Sequence, residues 1–322
     1  MVSLPYFIYN QLFNHPPTPT TPFTNQTVII TGSNVGLGLE AARHIVSLNA
    51  QKVILAVRNL SAGDEARKSI ESTTGRTGVI EVWELDLASY ASVLAFSKRA
   101  NTLPRLDAVI ENAALATENY QLAEGHERTI TVNVISTVLL GLLLLPKLRE
   151  TGKLSPGLKP RLSVVVSEVH AWTQFPEWRE ENTFAALSNR ETARMGERYP
   201  TSKLLDILAV REMVARLRDD SVVVNMVNPG FCHSQLGRDA GLGFKVMKMF
   251  LARSTEEGSR TLVAGVAAGE ESHGQYMDSG KVASDFLSGF VCSEDGGRAQ
   301  RKVWGELMEI LEEVQPGVSK NF

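Results

Sequence analysis

Residues 27–38 of the chain read TVIITGSNVGLG, and this stretch decides the fold. The β-branched run at 27–31 reads as a strand, and Gly32, Gly36 and Gly38 follow in a turn. Ala41, Ala42, Ile45 and Val46 then recur at helical spacing. A strand, a glycine-rich turn and a helix N-terminus in that order make an anion site. Backbone N–H groups point at a phosphate, and glycines let it come close. Gly32, Ser33, Asn34, Gly36, Leu37 and Gly38 are therefore candidate pyrophosphate ligands. The spacing is Gly-x-x-x-Gly-x-Gly with no Gly-Lys-Ser/Thr after it, so the lysine and hydroxyl of a P-loop nucleotidase are missing. A glycine turn alone also marks a plain tight connection; its place between the first strand and the first helix favours the phosphate.

Outward from this unit the alternation continues. Runs at 52–57, 79–85, 106–110, 162–166 and 222–227 read as strands, with a last short one at 289–291, and amphipathic segments lie between them. Strands apolar on both faces, alternating with helices, imply an α/β fold: a doubly wound parallel sheet covered on both sides. The longest apolar run, 132–145, is broken by Asn133, Ser136 and Thr137 and ended by Pro146. It falls short of the roughly 20 residues of a transmembrane helix and reads as a buried core helix, with no stable membrane insertion.

The 322 residues carry a net charge of −3, and no basic block offers itself to nucleic acid. Two cysteines, Cys232 and Cys292, make no disulfide framework and suit a reducing, cytoplasmic compartment. The six histidines show no metal-ligand spacing, so no metal is expected. The stiff PPTPTTP stretch at 16–22 separates an arm and linker, 1–24, from a single domain over 25–322. No Lys or Arg precedes Arg43, so the arm lacks the basic flank of a signal peptide. Its apolar patch at 4–13 is expected to pack on the domain or on a neighbouring subunit.

The second strand ends at Arg58. In a dinucleotide fold an acidic residue there bonds a ribose hydroxyl, whereas an Arg accommodates a 2′-phosphate. Arg58 thus favours NADP(H) over NAD, against the plainer reading of a surface Arg. Asp86 and Leu87 close the third strand at the adenine edge, where an Asp serves equally well to cap the next helix.

Tyr199-Pro200-Thr201-Ser202-Lys203 is the most informative pentapeptide. Tyr199 and Lys203, four apart, share one helix face. A free phenol, with a pKa of about 10, is a poor acid–base partner near neutrality. A neighbouring ammonium is expected to lower it by roughly 1–3 units. A Tyr-x-x-x-Lys pattern is common by chance. Here it follows a strand ending in Ser167 and precedes one ending in Asn228-Pro229-Gly230, which gathers three suitable groups at the carboxyl ends of the strands.

With these residues in hand, the sequence resembles the short-chain dehydrogenase/reductase family from about Thr27 onward. Residues 31–38 match its Thr-Gly-x-x-x-Gly-x-Gly turn, and Glu111-Asn112-Ala113-Ala114 stands at its Asn-Asn-Ala-Gly segment. Asn133, Ser167, Tyr199 and Lys203 match its tetrad, and Pro229-Gly230 with Ser234 its Pro-Gly-x-x-x-Thr segment. Ser167-Glu168-Val169-His170 follows the wording of retinol-dehydrogenase-like members, and the wording at 228–234 and 302–304 looks like fungal secondary-metabolism members. The resemblance implies a Rossmann-type sheet of about seven strands in the order 3-2-1-4-5-6-7. It also implies NADP(H) held by the glycine turn, Arg58, Asp86, Leu87, Asn112, Ala113, Tyr199, Lys203, Pro229, Gly230 and Ser234. It casts Tyr199 as proton donor or acceptor, Ser167 as the group bonding the substrate oxygen, Lys203 as lowering the tyrosine pKa and binding the nicotinamide ribose, and Asn133 as holding a water that links Lys203 to solvent.

Glu111 and Ala114 depart from the family wording, which puts cofactor affinity in doubt. Ser167 and Tyr199 lie 32 apart, and Trp172, Phe175, Trp178 and Phe184 fall between them. With the apolar stretch at 241–251 and a substrate loop at about 234–260, they suggest a fairly large apolar carbonyl or alcohol substrate. Ordinary packing under long loops explains the aromatics nearly as well. A ketone/alcohol oxidoreductase is the first reading. A non-redox isomerase or cyclase on the same scaffold and an NADP-sensing binding protein are the alternatives, and pairing into a homodimer is plausible.

Overall fold

The structure, a computed structural model, describes residues 4–155, 157–233, 236 and 251–322. Its centre is an eight-stranded sheet. The strands are β1 (Thr27–Thr31), β2 (Lys52–Val57), β3 (Ile80–Glu84), β4 (Ala108–Glu111), β5 (Arg161–Val165), β6 (Val223–Asn228), β7 (Tyr276–Asp278) and β8 (Lys281–Val282). They lie in the order 3-2-1-4-5-6-7-8, all parallel but for β8, which folds back on β7. The α/β doubly wound fold is thus as expected, with one antiparallel edge strand added. The last strand is not at 289–291. Phe290 there meets the rings of Phe175 and Trp178 at 6.4 and 6.1 Å, so its apolarity serves packing rather than strand pairing.

The pleat sends alternate residues of each strand to opposite faces. Ile29, Ile54 and Val109 point into one hydrophobic layer, while Val28, Ile30, Val53 and Leu55 point into the other. Both faces of β1 and β2 are dry, which is why those strands read as unbroken apolar runs. One layer is covered by helices Gly36–Ser47, Leu60–Thr74 and Thr255–Ala267, the other by Tyr90–Ala100, Ser136–Leu154, Met195–Arg216 and Glu294–Val314.

The helix at 132–145 is longer than expected. It runs through Pro146 to Leu154 and is preceded by a π-turn at Thr131–Ile135. Residues Arg128–Leu154 together are long and apolar enough to cross a membrane, but 83% of the apolar window is buried inside the fold. The N-terminal patch is itself a helix, Leu4–Phe13. The buried Arg253 guanidinium donates to the carbonyls of Asn10 and Asn14, 2.8 Å each, and so caps that helix's C-terminal end.

Candidate active site

Helices in this chain are mostly closed at the N-terminus by a side chain. Asn59, Ser89, Ser254 and Ser293 each accept a backbone N–H of the turn they precede. The helix Gly36–Ser47 has no such cap; Val35 stands at the position, and the first N–H groups are left open. They open on a cleft of about 610 Å³ at the carboxyl ends of β1 to β4.

The turn leading to that helix is held by backbone geometry. Gly32 has φ +65°, and a Cβ there would come within 2.9 Å of Ala113 Cα. A Cβ on Gly38 would come within 2.6 Å of Asn112 Nδ2 and 2.7 Å of Gly32 O. Asn112 fastens the turn from below: its Nδ2 donates to Thr31 O at 2.9 Å, and its own N–H donates to Thr31 Oγ1 at 2.9 Å. Ser33 is buried and donates to Ile30 O at 2.8 Å. Gly32, Asn34, Gly36, Leu37, Arg58, Asp86, Leu87, Asn112 and Ala113 all line the cleft. Arg58 is exposed at its rim, and Asp86 Oδ1 accepts Ala88 N–H at 2.9 Å, so it also serves as a turn former. An uncapped helix start, glycines where no Cβ fits and a rim arginine form a cradle that suits a dinucleotide phosphate.

The remaining candidates lie deeper or further along the strand ends. Ser33, Gly38, Asn133, Ser167, Tyr199, Lys203, Pro229 and Gly230 are not in the lining of this cleft, and Ser234 lies outside the described residues. The cleft does reach Leu115 and Val132, and Asn133 joins the two regions. Its Oδ1 accepts Leu115 N–H at 2.7 Å, and its Nδ2 donates to Leu115 O and Ser202 Oγ, both at 2.9 Å. The side chain is thus fully used in tying the loop after β4 to the helix that carries Tyr199 and Lys203.

Tyr199 and Lys203 are the fifth and ninth residues of the helix Met195–Arg216. Lys203 Nζ donates to Val165 O at 2.8 Å, which fixes the helix to the end of β5, two residues before Ser167. Ser167 caps a short turn, Glu168–Trp172. Just beyond that turn, Thr173 Oγ1 meets Thr201 Oγ1 of the tyrosine helix at 2.7 Å. Ser167, Tyr199 and Lys203 are therefore gathered at one strand end. Ser163, by contrast, lies inside the sheet and bonds Asn225 Oδ1 at 2.7 Å.

The electrostatics depart from expectation. Lys203 Nζ also donates to Asp206 Oδ2 at 2.9 Å, and the two side chains are only 4% and 1% exposed. Burial pushes the Tyr199 phenol up, Lys203 pulls it down, and Asp206, Glu168 and Cys232 push it up again; the balance lies above the ordinary value, not below it. Burial works against the Lys203 charge, but Asp206, Tyr199 and Glu111 outweigh it and hold the ammonium above its usual range. Glu111 does not border the cleft; its carboxyl is buried on the far side of β4, toward Lys203 and Asp206. Asp206 is absent from the sequence reading, which names Glu111 and Glu168 without giving either a part in these electrostatics. Asp206 was within reach of it, since i,i+3 on a helix is a contact spacing.

Of the four aromatics between Ser167 and Tyr199, Phe175 and Phe184 are core residues. Trp178 packs on Phe290, and Trp172 alone is open to solvent, at 57%. Ordinary packing accounts for three of them. The apolar residues of 237–250 lie outside the described residues.

Fold and cleft together suit an α/β dinucleotide-binding protein, and comparison with known proteins gives the family. A sequence model described as short chain dehydrogenase matches residues 26–154. A short-chain dehydrogenase of Penicillium roqueforti, anuD, is 46% identical over 97% of this chain and 84% of its own length. A short chain dehydrogenase/reductase of Cryptosporiopsis, dmxR8, is 46% identical over 98% of this chain and 99% of its own. The chain belongs to the short-chain dehydrogenase/reductase family, a family of nicotinamide-dependent oxidoreductases. Among solved structures, an uncharacterised protein from Mycobacterium paratuberculosis superposes with TM-score 0.68 at 24% identity, covering 91% of this chain and 96% of that one. An NADPH-bound carbonyl reductase from chicken fatty liver superposes with TM-score 0.62 at 19% identity, over 81% of this chain and 99% of that one. These two likenesses concern the fold.

Proposed function

We propose that the protein is an NADP(H)-dependent carbonyl reductase, acting on a fairly large apolar ketone or aldehyde within secondary-metabolite formation in the cytoplasm. The observation that carries this reading is Tyr199 one helical turn from a charged Lys203, which is anchored to the end of β5, two residues before Ser167. The residues fit the cofactor. The open N–H groups after Gly36 suit the pyrophosphate and Arg58 a 2′-phosphate, while Lys203, Pro229-Gly230 and Ser234 are assigned to the nicotinamide end by their match to the family's motifs. Bound nicotinamide supplies the hydride. The chain's own part is to hold the carbonyl oxygen with the Ser167 hydroxyl and to give it the Tyr199 proton. A phenol kept above its ordinary pKa stays protonated through the physiological range, which suits proton donation to a carbonyl. Trp172, exposed near Ser167, supports an apolar substrate wall. We place this activity in one domain from residue 25 onward.

The test is NADPH oxidation with a panel of apolar ketones. Tyr199→Phe should lower kcat by about 10³-fold while NADPH still binds. A variant that keeps its turnover sinks the assignment. Arg58→Glu should lower the preference for NADPH over NADH by roughly 10- to 100-fold, the worth of a charge-assisted hydrogen bond. An unchanged preference returns Arg58 to the surface.

A further inference from the structure

Two buried acids, Asp206 and Glu111, stand by Lys203 beneath Tyr199. Lys203 Nζ donates to Val165 O and Asp206 Oδ2, which uses two of its three N–H groups. The other Asp206 oxygen, Oδ1, is buried with no partner, and so is Glu111 Oε1 at the end of β4. Gly141 of the core helix lies against the Glu111 carboxyl: a Cβ there would stand at van der Waals contact, 3.4 Å, from Oε1. Two carboxylates and one ammonium in a dry pocket would leave a net negative charge, and among the described residues Lys203 is the cation that the charge of Glu111 and Asp206 meets. Adjacent buried carboxyls avoid this by ionising once between them.

We propose that Glu111 and Asp206 share one proton and present Lys203 with a single negative charge, which makes both of them positioning residues for the ammonium beneath Tyr199. The consequence for chemistry rests on the reductase reading above: with the lysine charge offset, the phenol keeps the proton it is to donate. The charge balance agrees in direction. Burial first and Asp206 second hold the Glu111 carboxyl well above the carboxylate range, against Lys203. Burial raises Asp206 to about 6, again against Lys203. The other groups that face Tyr199 are Glu168, after β5, and Cys232, after β6.

The proposal makes the two acids redundant in charge. Asp206→Asn leaves Glu111 to ionise, and Glu111→Gln leaves Asp206, so each single variant keeps the one negative charge. The double variant loses it. Tyrosinate formation at Tyr199 is followed by ultraviolet titration, with the matching Tyr199→Phe chain subtracted in each background. It should move little in either single variant and fall by about one pH unit in the double. Asp206→Asn giving the whole shift, or the double giving none, overturns the shared proton. The infrared difference between wild type and Glu111→Gln at neutral pH should show the carbonyl stretch of a protonated carboxylic acid. A carboxylate signature alone overturns the proposal, and this measurement decides by itself if the double variant does not fold. Neither readout needs a substrate. A band and a shift in a chain that reduces no ketone would sink the reductase reading and leave the pair; turnover without the band would do the reverse. In an active chain, the alkaline limb of the kcat profile should follow the phenol.

Discussion

The glycine turn after β1 and the lysine pocket behind β5 both manage charge, by opposite means. The turn does it with backbone: open N–H groups, two glycines where no Cβ fits, and Asn112 as a fastener. The pocket does it with side chains drawn from two elements, Glu111 on β4, and Lys203 and Asp206 on the tyrosine helix, which is clamped to a backbone carbonyl at the end of β5. A backbone device is local in sequence, whereas a side-chain device is assembled by topology. They should therefore fail differently. The turn should break by steric overlap at any pH, and the pocket should respond to pH and to charge.

The largest effect is expected at Gly38. A methyl there meets Gly32 O at 2.7 Å and Ser33 Cα at 3.0 Å, both parts of the backbone that cannot swing away. Gly38→Ala should cost about 3 kcal/mol of stability, the upper range for an overpacked site. NADPH affinity should fall at least about tenfold as the turn is pushed open. Thermal unfolding and fluorescence titration with NADPH at pH 6 and pH 8 test this, and the loss should be equal at both. A pH-dependent loss would mean that the turn depends on ionisable groups after all.

The same contrast explains what the sequence made legible. Strands β1 and β2 carry the expected bounds because both faces are apolar and the run has no gaps. The turn between β1 and its helix is written in consecutive residues, and Tyr199 and Lys203 are spaced by the helix repeat. Glu111 was taken as a substitution beside the cofactor, because nothing local tells which face of β4 it points to. The edge pair β7 and β8 was missed because three and two residues leave no pattern, and Phe290 supplied a false one at 289–291. The partners of Arg253 are an arm some 240 residues away and cannot be read from spacing.

Glu168 offers an intermediate effect on the pocket side. It follows Ser167 and accepts Asn228 Nδ2 at 3.0 Å. Burial raises its carboxyl to about 7, against that hydrogen bond, with Asp278 raising and Arg253 lowering. The folded chain thus binds this proton more tightly than the unfolded chain, where the group titrates near 4.5. The stability it contributes is fully present below that value and is lost as pH rises toward 7. Asp206, raised to about 6, slopes the same way. Glu168→Gln keeps an oxygen for Asn228 and removes the ionisation. Between pH 4.5 and 7 the wild type should lose about 2 kcal/mol more than the variant, less than the full shift implies because the side chain keeps some solvent contact. Chemical denaturation across that range checks it, and parallel curves would place the carboxyl's titration elsewhere.

The smallest effect tests whether the arm belongs to the pocket or merely rests on it. Gln11 is buried. Its Oε1 accepts Phe231 N–H at 3.2 Å, and its Nε2 donates to Phe231 O, so one amide reads both backbone groups of the residue after Pro229-Gly230. Asn10 meanwhile donates to Asp278 at 2.9 Å, and Asp278 accepts Asn228 Nδ2 at 2.8 Å, the amide that also reaches Glu168. The arm is thus wired to the strand end through β6 and β7. Gln11→Ala removes the two bonds to Phe231 and leaves Tyr199, Lys203 and the glycine turn untouched. At about 1 kcal/mol for such a net loss, the expected change is a roughly fivefold higher KM for NADPH with kcat nearly level. That split would mean that the arm sets the shape of the turn proposed to hold the nicotinamide end. A fall in kcat with KM unchanged would instead link the arm to Ser167 through Glu168 and Asn228. If neither moves and only the Tm drops, the contact is packing alone, and the side-chain device ends at β7.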